Sequence, residues 1–151
     1  MIADNEELNR LLFAGQMVDE NGHLKIESFP MDELLEKEGK SASLDRTALL
    51  PNPTQNLVEK LLELENRDKN RSAWGLGKSL ASSVRQIELQ DGRQAFDVFE
   101  DRLVNNPPKV WDNAHAKLTR AKPEFSRSLL RGCRDKLIEC FSENIQRHDA
   151  D

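Results

Sequence analysis

The stretch VRQIELQDGRQAFDVFE, Val84 to Glu100, decides the fold class. Apolar and polar residues alternate on both sides of Asp91-Gly92, the period of a half-buried strand. A two-residue turn at Asp91-Gly92 tolerates positive φ angles and predicts a β-hairpin with Ile87 opposite Phe96. In that register Ile87, Leu89, Phe96 and Val98 share a dry face, whereas Gln86, Glu88 and Asp97 share a wet one. An antiparallel sheet packed on one side follows.

Immediately upstream lies SAWGLGKS, Ser72 to Ser79. Its last three residues end like the phosphate-binding loop G-x-x-x-x-G-K-[ST]. That loop needs glycine where Ser72 stands, a buried strand before it and a helix after it. ENRDKNR precedes it and a hairpin follows, so the stretch reads as a Gly-rich bend with Trp74 as a core anchor. Ser79 also sits in a loose G-x-S-x-G, which requires a large parallel sheet that this chain has no room for.

Downstream, Pro107-Pro108 makes a rigid connector, and AHAKLTRAK reads as a short helix. The strongest helix then opens at Pro123. Phe125, Leu129, Cys133, Leu137, Phe141 and Ile145 recur every four residues, with Leu130 and Ile138 widening the stripe. Gly132 inside it costs about 1 kcal/mol relative to Ala. Toward the N-terminus, DNEELNRLLFAG reads as a short helix stopped by Gly15, and Asn21-Gly22 as a second hairpin turn. MDELLEKEGKSAS reads as a charged helical turn and loop, and SASLDR as a short strand. PNPTQNLVEKLLELENRDKN is a firmer helix, with Asn52 as its cap and Pro53 at its first position. The class is α+β: one domain, residues 1–151, with a hairpin-rich antiparallel sheet packed on one face by helices and a long C-terminal amphipathic helix.

Composition narrows the function classes. The chain of 151 residues is 37% hydrophobic and 32% charged, with a mean hydropathy of -0.70, which predicts a thin core under a heavily solvated surface. A net charge of -5 repels nucleic acid at long range, since Lys/Arg neutralisation of phosphates dominates that affinity. No apolar run reaches the length of a membrane span, and the acidic MIADNEELNR is the reverse of a signal peptide. Cys133 and Cys140 lie two helical turns apart, about 10.5 Å along the axis, too far for a disulfide. They read as reduced thiols in a reducing cytoplasm.

Three histidines occur. His23 and His148 read as solvated. His115, near Trp111 and Asp112, is either a residue of a first helical turn capped by Asp112 or Asn113, or a functional group. No His/Cys spacing suggests zinc, and neither a metal nor a cofactor is expected. Glu33, Glu36, Glu38, Glu59, Glu63 and Glu65 are a candidate acidic surface. Lys117, Arg120, Lys122, Arg127, Arg131 and Arg134 form a basic set. Arg127, Arg131 and Arg134, spaced four and three apart, make a stripe opposite the apolar one. With no tyrosine and 5% aromatics, base stacking has little support.

Asn21-Gly22, a run ending in Phe29, a variable loop, and Ser43-Leu44-Asp45-Arg46 together form a pattern. It resembles the opening of a group of small uncharacterised bacterial proteins, over about a fifth of the chain. In that group a His-rich segment precedes the turn; here it is absent. The resemblance implies an operon-encoded cytosolic accessory protein and carries no catalytic residue.

The expectation is therefore a non-catalytic protein that binds another protein. Arg127, Arg131, Arg134, His115 and Trp111 are its candidate binding residues. Two alternatives stand beside it. One is a small hydrolase or nuclease-like enzyme using His115 with Asp97, Asp101 or Asp112. The other is a nucleic-acid-associated protein using the arginine stripe.

Overall fold

In the computed structural model, residues 1–148 are described. Six strands form one antiparallel sheet: β1 (Glu7–Phe13), β2 (Ala42–Arg46), β3 (Ala73–Leu80), β4 (Phe96–Glu100), β5 (His115–Arg120) and β6 (Asn144–Arg147), in the order β4-β5-β2-β1-β3-β6. Five α-helices accompany them: α1 (Met31–Leu34), α2 (Pro53–Arg67), α3 (Ala81–Arg85), α4 (Arg127–Arg131) and α5 (Arg134–Ser142). The class is α+β, as the sequence predicts.

The hairpin at Asp91-Gly92 forms with a shifted register. Ala95 N–H donates to Ile87 O at 2.9 Å and Leu89 N–H to Arg93 O at 2.8 Å, so Ile87 faces Ala95 rather than Phe96. The turn is three residues long, and Gly92 takes the left-handed position with φ +87 that such loops require. Ile87, Leu89, Phe96 and Val98 are nevertheless all buried. Val84 and Arg85 belong to α3, and the main partner of β4 is β5.

Four segments expected otherwise are strands, one of them β6, expected as the end of the C-terminal helix. Glu7–Phe13 is β1, buried along nearly its whole length. Such a strand shows no alternation and matches a short apolar helix in sequence. His115–Arg120 is β5, its apolar Ala116 and Leu118 being alternate strand positions rather than a helical face. Ala73–Leu80 is β3, between β1 and β6.

Glycine in β3 serves close approach. A Cβ on Gly77 would stand 2.7 Å from Phe141 O, and one on Gly75 would stand 2.5 Å from Gln146 O. The two glycines thus let α5 and β6 lie directly against the strand. Trp74 is half-buried, with the Arg147 guanidinium 4.9 Å from its ring; Trp111 is the tryptophan packed in a core.

Residues 127–142 are helical throughout, α4 and α5 meeting at a turn over Gly132 and Cys133. Ser126, not Pro123, caps the start, its Oγ accepting from Leu129 N–H at 3.4 Å. Ile145 lies beyond the end, in β6. Leu130, Cys133, Leu137 and Phe141 are buried, but Leu129 is 38% exposed.

Side chains on one face of the sheet, including Leu8, Leu44 and Phe96, join Phe29, Leu34, Val84, Leu137 and Phe141 in the larger core. On the other face Leu11 and Phe13 meet Leu57, Leu61 and Trp111 in a smaller one beneath α2.

The strands β1 and β2 pair only at Leu8↔Arg46 and Asn9↔Asp45. Where the ladder stops, the buried Arg10 guanidinium takes its place. It donates to Ser43 O at 3.0 Å, and from Nε and Nη2 to Ser28 O at 3.1 and 2.7 Å.

Candidate functional site

Two features carry chemistry: the exposed flank of α4 and a polar cavity beneath α2. On α4, Arg127 and Arg131 are exposed on one side, and the exposed Leu129 lies on the other. Arg134 begins α5 half-buried, with Nη1 3.5 Å from Phe29 O. Burial, helped by the neighbouring Arg131 and Arg127, pulls its pKa below the ordinary arginine value against Glu27 and Asp135.

The rest of the basic set is neutralised in place. Lys117 and Lys122 reach Glu36 at 3.2 and 3.8 Å, and Arg120 reaches Glu124 at 3.2 Å. Among the described residues, Arg127 and Arg131 have no ion-pair partner.

The acidic set does not form one surface. Glu33 pairs with Arg10, Glu36 with Lys117, and Glu63 with Arg67 and Lys109. Glu65 accepts from Ala73 N–H.

The cavity, about 390 Å³, opens between α2 and the seam of β1 and β2. Asp45 and His115 are register partners on adjacent strands, so their side chains project to the same face. Lys60 descends from α2 to Asp45 Oδ1 at 2.7 Å, and both side chains are at least nine-tenths buried. Arg10 borders the cavity, its Nη2 3.2 Å from Glu33 Oε1. Burial pulls its pKa below the ordinary value, and Glu33 opposes the shift.

His115 is 5% exposed and starts β5 rather than lying in the first turn of a helix capped by Asp112 or Asn113. Its Nδ1 is 2.7 Å from Asp101 O. A carbonyl oxygen only accepts, so Nδ1 carries a proton, and in the neutral imidazole Nε2 then presents its lone pair. The Asp101 carboxylate is 3.3 Å from Nδ1. Asp97 is held by Arg85 at 2.9 Å. The Asp112 carboxylate accepts from Lys109 N–H and Asn105 Nδ2, which hold it below the usual range. Of the three aspartates considered for His115, Asp101 is the one at its side.

Trp111 is 7% exposed and packs with Leu57 and Leu61, so it anchors the smaller core and offers little surface to a partner. Both cysteines are free, and burial pushes both thiols up. Lys78 of the phosphate-loop-like stretch lies 3.7 Å from Glu7 on a regular strand, so no loop wraps a phosphate there.

Arg10, Asp45 and Lys60 escaped the sequence reading. Arg10 lay in a presumed helix, and Asp45 in a strand too short to reveal its faces. A signal for Lys60 existed: it sits beside Leu61 and three residues after Leu57, on the apolar stripe of its helix.

The chain matches no family model, no curated protein and no solved structure.

Proposed function

We propose that the chain is a non-catalytic accessory protein of the bacterial cytosol that acts by binding an acidic segment of another protein. The flank of α4 is the contact surface. The observation that supports it is the pair of exposed arginines, Arg127 and Arg131, which have no ion-pair partner among the described residues, whereas Lys117, Arg120 and Lys122 of the same basic set are paired. A carboxylate-rich partner would supply the missing counter-charges, and desolvation on binding would strengthen those contacts.

The test is fluorescence anisotropy with an acidic peptide, read against a single-stranded oligonucleotide across a salt series. Arg127→Glu with Arg131→Glu is expected to weaken peptide binding at least roughly tenfold and to flatten its salt dependence. Folding should change by no more than about 1 kcal/mol, because exposed charges contribute little. Tighter binding to the oligonucleotide would replace this reading with nucleic-acid association. Peptide binding by the doubly reversed variant as tight and as salt-dependent as that of the parent would end it.

A further inference from the structure

The cavity beneath α2 has more polar capacity than the protein itself uses. Lys60 spends one of its three N–H donors on Asp45, and no other partner of its Nζ exists among the described residues. His115 lines the same cavity with Nδ1 fixed on Asp101 O, and its Nε2 has no hydrogen-bond partner among the described residues. An ion pair serving only as internal scaffolding is a poor stabiliser, since two well-packed apolar residues commonly do as well or better. Spare donors beside a nine-tenths-buried imidazole have a use if a ligand completes them.

The walls define that ligand. Leu11, Phe13 and Leu64 supply an apolar lining, and Met17 stands among them, half-buried. Arg71 lies across Phe13, its guanidinium 4.9 Å from the ring. Among the lining residues three basic side chains, Arg10, Lys60 and Arg71, face two carboxylates, Asp45 and Glu33, and Arg71 also has Asp68 outside the lining, 3.6 Å from its Nε. The volume of about 390 Å³ lies near the lower end of ligand pockets, roughly 300–1,000 Å³.

We propose that this cavity binds a small organic acid with an apolar body. Lys60 and Arg71 hold its carboxylate, the body lies against Leu11, Phe13 and Leu64, and a hydroxyl on that body donates to His115 Nε2. This site is separate from the α4 surface and does not depend on it.

Thermal shift and calorimetry of the full chain test it, with benzoate and 4-hydroxybenzoate as probes. Benzylamine and inorganic phosphate at matched ionic strength are the controls. Both acids are expected to raise the melting temperature, the hydroxylated one more. Arg71→Gln should weaken them roughly 10- to 100-fold, as loss of a charged hydrogen bond does. Lys60→Met risks misfolding by stranding Asp45, so Met17→Trp is the second variant: it fills the lining and should abolish binding without touching a charge. Arg127→Glu with Arg131→Glu should bind both acids unchanged, which separates this result from the fate of the α4 surface. The proposal falls if neither acid shifts melting at roughly 10 mM, well above a millimolar Kd. It falls equally if benzylamine or phosphate matches the acids, or if Met17→Trp binds as the parent does.

Discussion

Beneath α5, Leu137 and Phe141 join Phe29 and Phe96 in a cluster of apolar side chains. Beneath α2, Leu57 and Leu61 share their space with the Lys60–Asp45 ion pair and the imidazole of His115. The first face gains from every apolar atom removed from water. The second loses hydration of two charges and recovers it only through the geometry of their contact. One sheet therefore divides its work, with stability concentrated on one side and chemistry on the other.

The widest test of that division is Asp45→Ala. It strands a buried ammonium and should cost about 3–5 kcal/mol in urea denaturation. Replacing the pair together, Asp45→Val with Lys60→Met, should recover that loss and can add roughly 1–4 kcal/mol. A double variant as unstable as the single one would erase the contrast between the faces.

On the dry side, Leu137→Ala should cost about 2–5 kcal/mol from lost burial and the cavity left behind. No second substitution on that face should rescue it as cleanly.

Gly77→Ala comes next. The added methyl meets the Phe141 carbonyl at 2.7 Å, and α5 must shift from the sheet, at about 1–3 kcal/mol. Thermal unfolding reads the loss. A neutral result would mean that α5 rides on the sheet loosely.

The smallest effect concerns pH. Glu6 chelates the Arg46 guanidinium through two contacts of 2.8 Å. That hydrogen-bonded pairing lowers the Glu6 pKa from its ordinary 4.5. A lowered carboxyl pKa adds stability that is present above pH 4.5 and is lost as the pH falls through the folded-state value. Glu6→Gln should therefore reduce stability at neutral pH and leave a shallower acid slope, measured by melting at successive pH values.

What the sequence revealed follows the same boundary. Leu137, Phe141 and Cys133 were legible because an amphipathic helix writes its buried face every three or four residues. Ile87, Leu89, Phe96 and Val98 were legible as a dry set even though their pairing was off by one residue, because alternation fixes the face more firmly than the turn fixes the register. β1 was not legible. With both faces covered it lacks alternation, and Asn9 and Arg10 look like surface residues until tertiary neighbours are known. β3 was hidden by glycines that weaken strand propensity and are explained by α5 and β6, elements distant in sequence. The cavity was invisible for a related reason: Arg10, Asp45, Lys60 and His115 come from four separate elements, and no local spacing links them.

The short pairing of β1 with β2 makes the sheet two three-stranded plates, β4-β5-β2 and β1-β3-β6, joined by a narrow ladder and the side chains of Asn9, Arg10 and Arg46. Cooperative units of a protein part where the fewest bonds cross. In hydrogen exchange the amides of each plate should exchange as a group, on separate clocks. Pulled apart by force, the sheet should tear first along that line, with these side chains as its stitches.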